Sequence, residues 1–192
     1  ESAVKSSAMA TAFKAAFAAS AAAVVGLGTA AVKSYADYEQ LSGGIQTLFK
    51  GSADQVMKYA NQAYKTAGMS ANRYMETVSS FSASLLQGLG GNTEKAAKYA
   101  NKAVVAMSDN ANKMGTSMEA IQYAYQGFAK QNYTMLDNLK LGYGVTASEM
   151  ARLVNDSGVM GKSFKATAKN INSISFDKII DAIQVTQDKL GY

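Results

Sequence analysis

The stretch Gly68–Gly91, GMSANRYMETVSSFSASLLQGLGG, carries the clearest helical pattern in the chain. Ser70 stands where an N-cap hydroxyl accepts a hydrogen bond from a free backbone N–H of the first turn. Apolar side chains then recur at spacings of three and four, at Tyr74, Val78, Phe81, Leu85 and Leu89. Gly88, Gly90 and Gly91 end the pattern, because glycine supplies the left-handed backbone that closes helices. The stretch therefore predicts one continuous amphipathic helix, which we expect to be the main core element.

The composition excludes several classes of site. The 192 residues include no cysteine, histidine, proline or tryptophan. Without cysteine and histidine the chain lacks disulfides, thiolate metal sites, the commonest metal ligand and the usual general base. The absence of proline favours long helices, and the formal charge of +5 is too thinly spread to indicate a nucleic-acid site. Because the chain opens at Glu1 without an initiator methionine, we expect a fragment or a processed product.

Residues 8–32, AMATAFKAAFAASAAAVVGLGTAAV, form the most biased segment. The uncharged run between Lys14 and Lys33 is at the lower limit of a membrane span, but alanine gains little from hydrocarbon. We interpret the segment as a long alanine-rich helix that packs against other helices, with membrane insertion as the alternative. The candidate packing or membrane-contact residues are Phe13, Phe17, Val24, Val25, Gly26, Leu27, Gly28 and Val32.

Glycines and capping residues divide the rest of the chain into shorter predicted helices. One helix is expected to end near Gly43-Gly44, and the next begins at Ser52, which forms a capping-box pattern with Gln55. This next helix runs to about Ala67. Its expected inward side chains are Val56, Met57, Ala60, Ala63 and Tyr64.

Two further caps precede helices in the middle of the chain. Asn92 or Thr93 caps one with the seam Ala97, Ala100, Val104, Met107 and Ala111, and its lysines 95, 98 and 102 indicate a solvated face. Ser117 caps the other, with the inward residues Ile121, Ala124, Tyr125 and Phe128. The tetrapeptide KYAN occurs at 58–61 and again at 98–101. A degenerate helical-hairpin repeat and convergent helix patterning both account for this.

The C-terminal third reads as three shorter helical segments and a basic stripe. Residues 134–142 predict a short helix through Met135, Leu136 and Leu139, and Thr146 opens another with Glu149 three residues on. A third helix begins after Ser175, with the expected inward residues Phe176, Ile179, Ile180, Ile183 and Leu190. Between the last two, Lys162, Lys165 and Lys169 are expected to form a basic helical stripe. We interpret it as a solvated face, with a weak site for polyanions or lipid headgroups as the alternative.

The remaining motifs argue against catalysis. GLGGNTEK at 88–95 lacks the spacing of a phosphate loop, and GYG at 142–144 does not follow a strand. Asp177 and Asp181 share a helix face, and we interpret them as surface charges. The sequence therefore predicts no catalytic, metal-binding or cofactor-binding residues and no cofactor.

These patterns together predict an all-α fold of amphipathic helices joined by glycine-containing turns, with a long alanine-rich N-terminal helix. Residues 1–42 are expected to form that N-terminal helix, and residues 43–144 a helical core. Residues 145–192 are expected to add C-terminal helices to the same domain.

Several long phrases resemble the N-terminal region of tail tape measure proteins from long-tailed phages and prophages of Gram-positive bacteria. They are YADYEQLSGGIQTLFK, YANQAYKTAGMSANRYMETVSSFSASLLQGLGGNTEKAAKYAN, MSDNANKMGTSMEAIQYAYQGFAKQNYTMLDNLKLGYG and ISFDKIIDAIQVTQDKLG. The resemblance is continuous and ordered over about residues 35–192. It includes no catalytic signature, so no functional residue carries over.

The resemblance implies a structural role in tail length determination, tail-tip assembly and DNA ejection. It implies a homo-oligomer that contacts tail-tube and tail-tip proteins in the virion, with the host membrane as a further partner and nucleic acid as a transient one at most. The expected location is the tail lumen and tip, and the host cell envelope during ejection. The alternative function is a membrane-inserting, pore-forming helical protein.

Overall fold

The computed structural model describes residues 23–192, with side chains from residue 29 onward. Every regular element in this part of the chain is helical and none is a strand, which confirms the predicted all-α class. Short 3₁₀ turns occur at Lys50–Ser52, Leu136–Leu139 and Ile171–Ser173. The α-helices are α1 Ala23–Phe49, α2 Ala53–Thr66, α3 Ala71–Ser79, α4 Ser82–Gly88, α5 Thr93–Met114, α6 Met118–Ala129, α7 Ala147–Ser157 and α8 Phe176–Lys189.

The chain divides into two compact units, Glu1–Leu41 and Ser42–Tyr192. Helix α5 is central to the second unit, where it packs against α2, α3, α4, α6 and α8. Its predicted seam is confirmed at Ala97, Ala100, Val104 and Met107, which are fully buried, whereas Ala111 is only partly buried. Burial extends to further faces of α5, including Ala96 and Ala103. Small side chains on these faces let the neighbouring helices approach closely, so α5 has the central place that the sequence suggested for residues 68–91.

The opening stretch is not one helix but two, α3 and α4, with a break at Ser80 and Phe81. Hydroxyl side chains at the break bond backbone carbonyls one turn earlier: Thr77 Oγ1 donates to Arg73 O at 2.8 Å, and Ser82 Oγ donates to Val78 O at 2.5 Å. Such bonds bend helices and offer the backbone an alternative to the regular ladder. The break leaves Phe81 buried edge-on against Phe176, with ring centroids 6.0 Å apart.

The burial expected in this stretch is otherwise confirmed. Tyr74, Val78, Phe81 and Leu85 are buried, whereas Leu89 is only partly buried. The glycines after α4 end it as predicted, since Gly90 and Gly91 both have positive φ angles, of 63° and 80°. The spacing of the apolar residues therefore identified the buried face correctly across the break.

Helix α1 does not end at Gly43-Gly44, as the sequence suggested, but continues to Phe49. Neither glycine has a positive φ angle, and the Thr47 hydroxyl donates to Gly43 O at 3.0 Å. Ile45, directly after Gly44, and Phe49, one turn later, are both fully buried. This burial stabilises the helical conformation beyond the two glycines, so their low helix propensity does not decide the outcome.

The predicted N-caps are partly confirmed. The side chains of Ser70, Asn92, Ser117 and Thr146 each accept a hydrogen bond from the backbone N–H three residues later. Ser52 and Ser175 precede helices as expected, but neither makes a side-chain cap bond. The Ser52 hydroxyl lies 3.0 Å from Thr93 Oγ1 instead, so the capping box with Gln55 is wrong.

Some expected core residues are exposed. Tyr64 is 82% exposed, and Leu190 and Met135 are also exposed. Residues 134–142 contain a 3₁₀ turn over Leu136–Leu139 rather than an α-helix, and this shorter turn directs only Leu136 and Leu139 inward. The predicted inward residues of α6, namely Ile121, Ala124, Tyr125 and Phe128, are buried, and α7 likewise buries Met150, Leu153 and Val154.

The two KYAN segments have different surroundings. In the first, the Tyr59 hydroxyl accepts a bond from Gln55 Nε2 at 2.7 Å, and Asn61 is exposed. In the second, the Tyr99 hydroxyl donates to Asp181 Oδ2 at 2.9 Å, and Asn101 Oδ1 accepts from Tyr74 at 2.7 Å. The same four letters therefore serve different contacts in α2 and α5.

Candidate interaction surfaces

The N-terminal candidate residues are described only in part. Phe13 and Phe17 lie outside the described residues. Five more fall within α1, at Val24, Val25, Gly26, Leu27 and Gly28. Val32 is the one whose side-chain environment is described, and it is 69% exposed.

Helix α1 presents a largely uncovered apolar face after residue 29. Tyr35, three residues beyond Val32, is 47% exposed. Ala31 and Tyr38 stand at helical spacing from Tyr35, and both are half-buried. Because Val32 and Tyr35 are exposed, they are better placed to contact another molecule than to form part of a core.

A charged cluster joins α5 to α8 within the second unit. The Asp181 carboxylate accepts hydrogen bonds from the Tyr99 hydroxyl at 2.9 Å and from Lys102 Nζ at 2.5 Å. Lys102 also lies over the Tyr99 ring, 5.5 Å from its centroid. Burial, followed by the hydrogen bond to Asp181, raises the pKa of Tyr99 to about 12. We therefore assign the cluster a structural role in holding α5 against α8.

The interpretation of two aspartates as surface charges is wrong. Asp177 is 7% exposed, and the side chain of Asp181 is 16% exposed. Asp177 lies in the first turn of α8, where the helix dipole stabilises a carboxylate. Its Oδ1 atom is buried without a hydrogen-bond partner in the described part of the chain. Lys102 is likewise engaged by Asp181 rather than part of a freely solvated face.

A second polar contact between α5 and α8 is fully internal, and the sequence reasoning missed it. Asn110 Nδ2 donates to Leu139 O at 2.8 Å and to Gln187 Oε1 at 2.9 Å. Gln187 Nε2 donates in turn to Ala106 O at 3.0 Å. The available signal was an amide side chain three residues after Met107, on the apolar face of α5.

Near the start of α7 an exposed network surrounds Arg152. Its guanidinium donates to both Glu149 oxygens, at 2.6 and 3.1 Å, and stacks 4.1 Å from the Tyr143 ring centroid. Gly144 N also donates to Glu149 Oε1 at 3.0 Å. The hydrogen bonds from Arg152 and then from Gly144 lower the pKa of Glu149 to about 2. The Nε and Nη2 groups of Arg152 are therefore both engaged within the protein, since Nη2 also donates to Gly142 O at 3.2 Å.

The predicted basic helical stripe does not exist as a helix. Lys162, Lys165 and Lys169 lie in a non-helical loop between α7 and the turn at Ile171–Ser173. The first bend of this loop contains Gly158 and Gly161, whose positive φ angles of 76° and 79° are incompatible with a continuing helix. The three lysines are nevertheless all exposed.

A groove of about 410 Å³ lies where α4 and the end of α6 meet the start of α8. Its polar groups bond partly to one another, since Gln131 Nε2 donates to Asn172 O and the Tyr133 hydroxyl donates to Asn172 Oδ1. Among the described residues that line the groove, Lys130 is the one amine and none carries a carboxylate. The groove therefore offers polar contacts but no acid–base pair.

Metal and membrane features are not found in the part of the chain that the structure describes. Within residues 23–192 no three potential ligands cluster closely enough to hold a metal ion. No helix in the same range combines the length and the apolar character that a membrane crossing needs.

The second unit thus defines a compact all-α structural domain with an internally bonded polar framework. The candidate contact surfaces of the chain are the exposed face of α1 at Val32 and Tyr35, in the first unit, and the loop with Lys162, Lys165 and Lys169, in the second unit. Searches against known protein families, curated proteins and solved structures find no match to this chain.

Proposed function

We propose that this chain is a structural segment of a long phage tail, the N-terminal region of a tape measure protein. It acts in tail length determination, tail-tip assembly and DNA ejection, and it is not an enzyme. The observation that carries the proposal is the ordered resemblance of sequence phrases over residues 35–192. The all-α fold is compatible with that role, and the partners are tail-tube and tail-tip proteins.

Direct detection in virions tests the proposal. Tails purified from the phage or prophage that encodes this chain should contain its peptides by mass spectrometry. An antibody raised against residues 42–192 should label tails that have been opened at the tip, and label intact tails less. Complete infectious tails that lack the chain would refute the proposal.

Self-association is the second part of the proposal, and the exposed face of α1 supports it. Val32 and Tyr35 are large apolar side chains on one face of a helix, and a second copy of α1 would remove them from water. Charged replacements, Val32→Glu with Tyr35→Glu, should therefore shift the chain toward the monomer in analytical ultracentrifugation.

Tyr64 provides a matched control, because it is an exposed tyrosine on α2 rather than on α1. The variant Tyr64→Glu should leave the association constant unchanged. Equal effects of the α1 and α2 variants would count against α1 as the site of self-association. The alternative of a membrane-inserting protein depends on residues 8–32, of which 8–22 lie outside the described residues.

A further inference from the structure

The loop formed by residues 158–170, named here the basic loop, has an unusual charge balance. It contains Lys162, Lys165 and Lys169 and no acidic residue. The nearest carboxylates along the chain are Asp156 and Asp177, one on either side. A segment with one sign of charge attracts ligands of the opposite sign.

The lysines of the basic loop are not neutralised by ion pairs with other described residues. None of the three lysines forms an ion pair with another described residue, and all three are exposed. The carboxylate of Asp156 is already engaged, since it accepts a 2.6 Å hydrogen bond from the Tyr143 hydroxyl. The loop therefore presents positive charge to its surroundings with no acidic partner of its own.

The basic loop is also held in a defined shape. Asn155 bonds both backbone groups of Ala166, with Nδ2 donating to the carbonyl at 2.9 Å and Oδ1 accepting from the N–H at 2.8 Å. Asn170 Nδ2 donates to Lys165 O at 2.9 Å, and its Oδ1 accepts from Thr167 N at 2.7 Å. Ala166, in the middle of the loop, is buried. Because the backbone is already ordered, binding through the lysines costs less conformational entropy.

Partly exposed apolar side chains accompany the lysines, at Val159, Met160 and Phe164. Lysine next to apolar and aromatic groups is the chemistry that suits a membrane–water interface. A nucleic-acid surface would favour arginine forks and freely exposed stacking rings, and the basic loop has neither. The side chains therefore favour a lipid headgroup layer over a nucleic acid.

We propose that the basic loop binds the surface of a bilayer that contains anionic lipids, with Lys162, Lys165 and Lys169 contacting headgroup phosphates. The binding is peripheral and involves no insertion of a helix. It stands apart from the tail function proposed above and does not depend on it. Each lysine is expected to contribute about a fivefold gain in affinity, so all three contribute on the order of a hundredfold.

Flotation of the full chain with vesicles tests the proposal. Vesicles of phosphatidylcholine with phosphatidylglycerol should bind the chain more tightly than phosphatidylcholine alone, and added salt should weaken binding. The variant K162Q/K165Q/K169Q should lose about a hundredfold in affinity for the anionic vesicles. Circular dichroism of each variant verifies that the helical fold is retained.

The matched control removes the same charge elsewhere. Lys58, Lys65 and Lys95 are exposed lysines on α2 and α5 that form no ion pair with any described residue. The variant K58Q/K65Q/K95Q has the same net charge as the loop variant, since each loses three lysines. This control should keep nearly all of the binding. Equal losses in the two triple variants, or equal retention, would overturn the proposal, because either result removes any special role of the loop.

Two further measurements separate the lipid surface from other ligands. The chain has no tryptophan, so Phe164→Trp introduces a single fluorescent reporter in the loop. Its emission should shift to the blue with anionic vesicles and stay unchanged with phosphatidylcholine alone. A shift with duplex DNA and none with vesicles would assign the loop to nucleic acid and overturn the lipid proposal.

Discussion

Replacing Gly43 and Gly44 together with alanine should stabilise the second unit. Both glycines lie inside helix α1 without positive φ angles, and a Cβ atom at either position would meet no described atom within 4 Å outside its own helical turn. Glycine in a helix interior costs roughly 0.5–1 kcal/mol relative to alanine. Because the next turn carries the buried residues Ile45 and Phe49, this part of α1 unfolds with the core. The gain therefore enters the free energy of unfolding of the unit.

The expected magnitude is about 1–2 kcal/mol for the double variant. For a unit of this size, that corresponds to a rise of roughly 3–6 °C in the midpoint of thermal unfolding. Urea unfolding followed by circular dichroism at the helical band measures the change directly. The slope of the transition should stay the same, since the area buried on folding does not change.

Gly68→Ala is the matched control. Gly68 also has open space around its Cβ position, but its φ angle is +62°. Alanine in this left-handed conformation costs about 1–2 kcal/mol, so the control should lower the free energy of unfolding. If Gly43→Ala with Gly44→Ala failed to stabilise while Gly68→Ala destabilised, the reasoning would be refuted, and helix α1 would end at the two glycines.

Three further variants and one control test the polar contacts. Lys102→Met should cost about 1–3 kcal/mol by chemical denaturation, because it leaves the mostly buried Asp181 carboxylate with one donor fewer. Lys98→Met, which breaks an exposed pair, should cost less than about 0.5 kcal/mol, and equal costs would contradict the assignment. Asn110→Ala should cost about 2–3 kcal/mol by urea unfolding, and a loss near zero would mean that its two buried acceptors find other donors. The pKa of Glu149 in the folded chain is about 2, below its ordinary value of 4.5. Its stabilising contribution is therefore complete above pH 4.5 and is lost as the pH falls through about 2. Glu149→Gln should remove this part of the acid dependence, and an unchanged acid unfolding curve would contradict it.

The sequence correctly predicted the features that depend only on residues close together in the chain, namely buried helix faces and N-caps. Apolar spacing identified the buried faces of α3, α5 and α6, and the N-cap residues before these helices all make the expected bonds. These features follow from helix geometry within a few residues, so no knowledge of the rest of the fold is needed.

The features that the sequence did not predict depend on long-range contacts, or on side chains that compete for backbone hydrogen bonds. The spacing of apolar residues contains no information on either. The break at Phe81 arises because several hydroxyls near it bond carbonyls of the preceding turn, a choice that the apolar pattern does not register. The continuation of α1 through its glycines depends on the burial of Ile45. In the charged cluster, the Tyr99 hydroxyl donates to Asp181, which lies 82 residues further along the chain. No local sequence motif therefore predicts this contact.

The polar contacts between α5 and α8 also fix the register of these two helices, which the alanine seam of α5 specifies poorly. Alanines at several turns of α5 present similar surfaces, so apolar packing alone distinguishes poorly between neighbouring registers of α8. Hydrogen bonds do distinguish between these registers. Lys102 donates to Asp181, and about two turns further along α5 Asn110 donates to Gln187. Both helices advance together between these contacts, so α8 runs parallel to α5. A slip of one turn would break both contacts and leave buried polar groups unpaired, which costs far more than the small change in apolar contact. Polar specificity therefore sets the register, and the alanine seam supplies close approach.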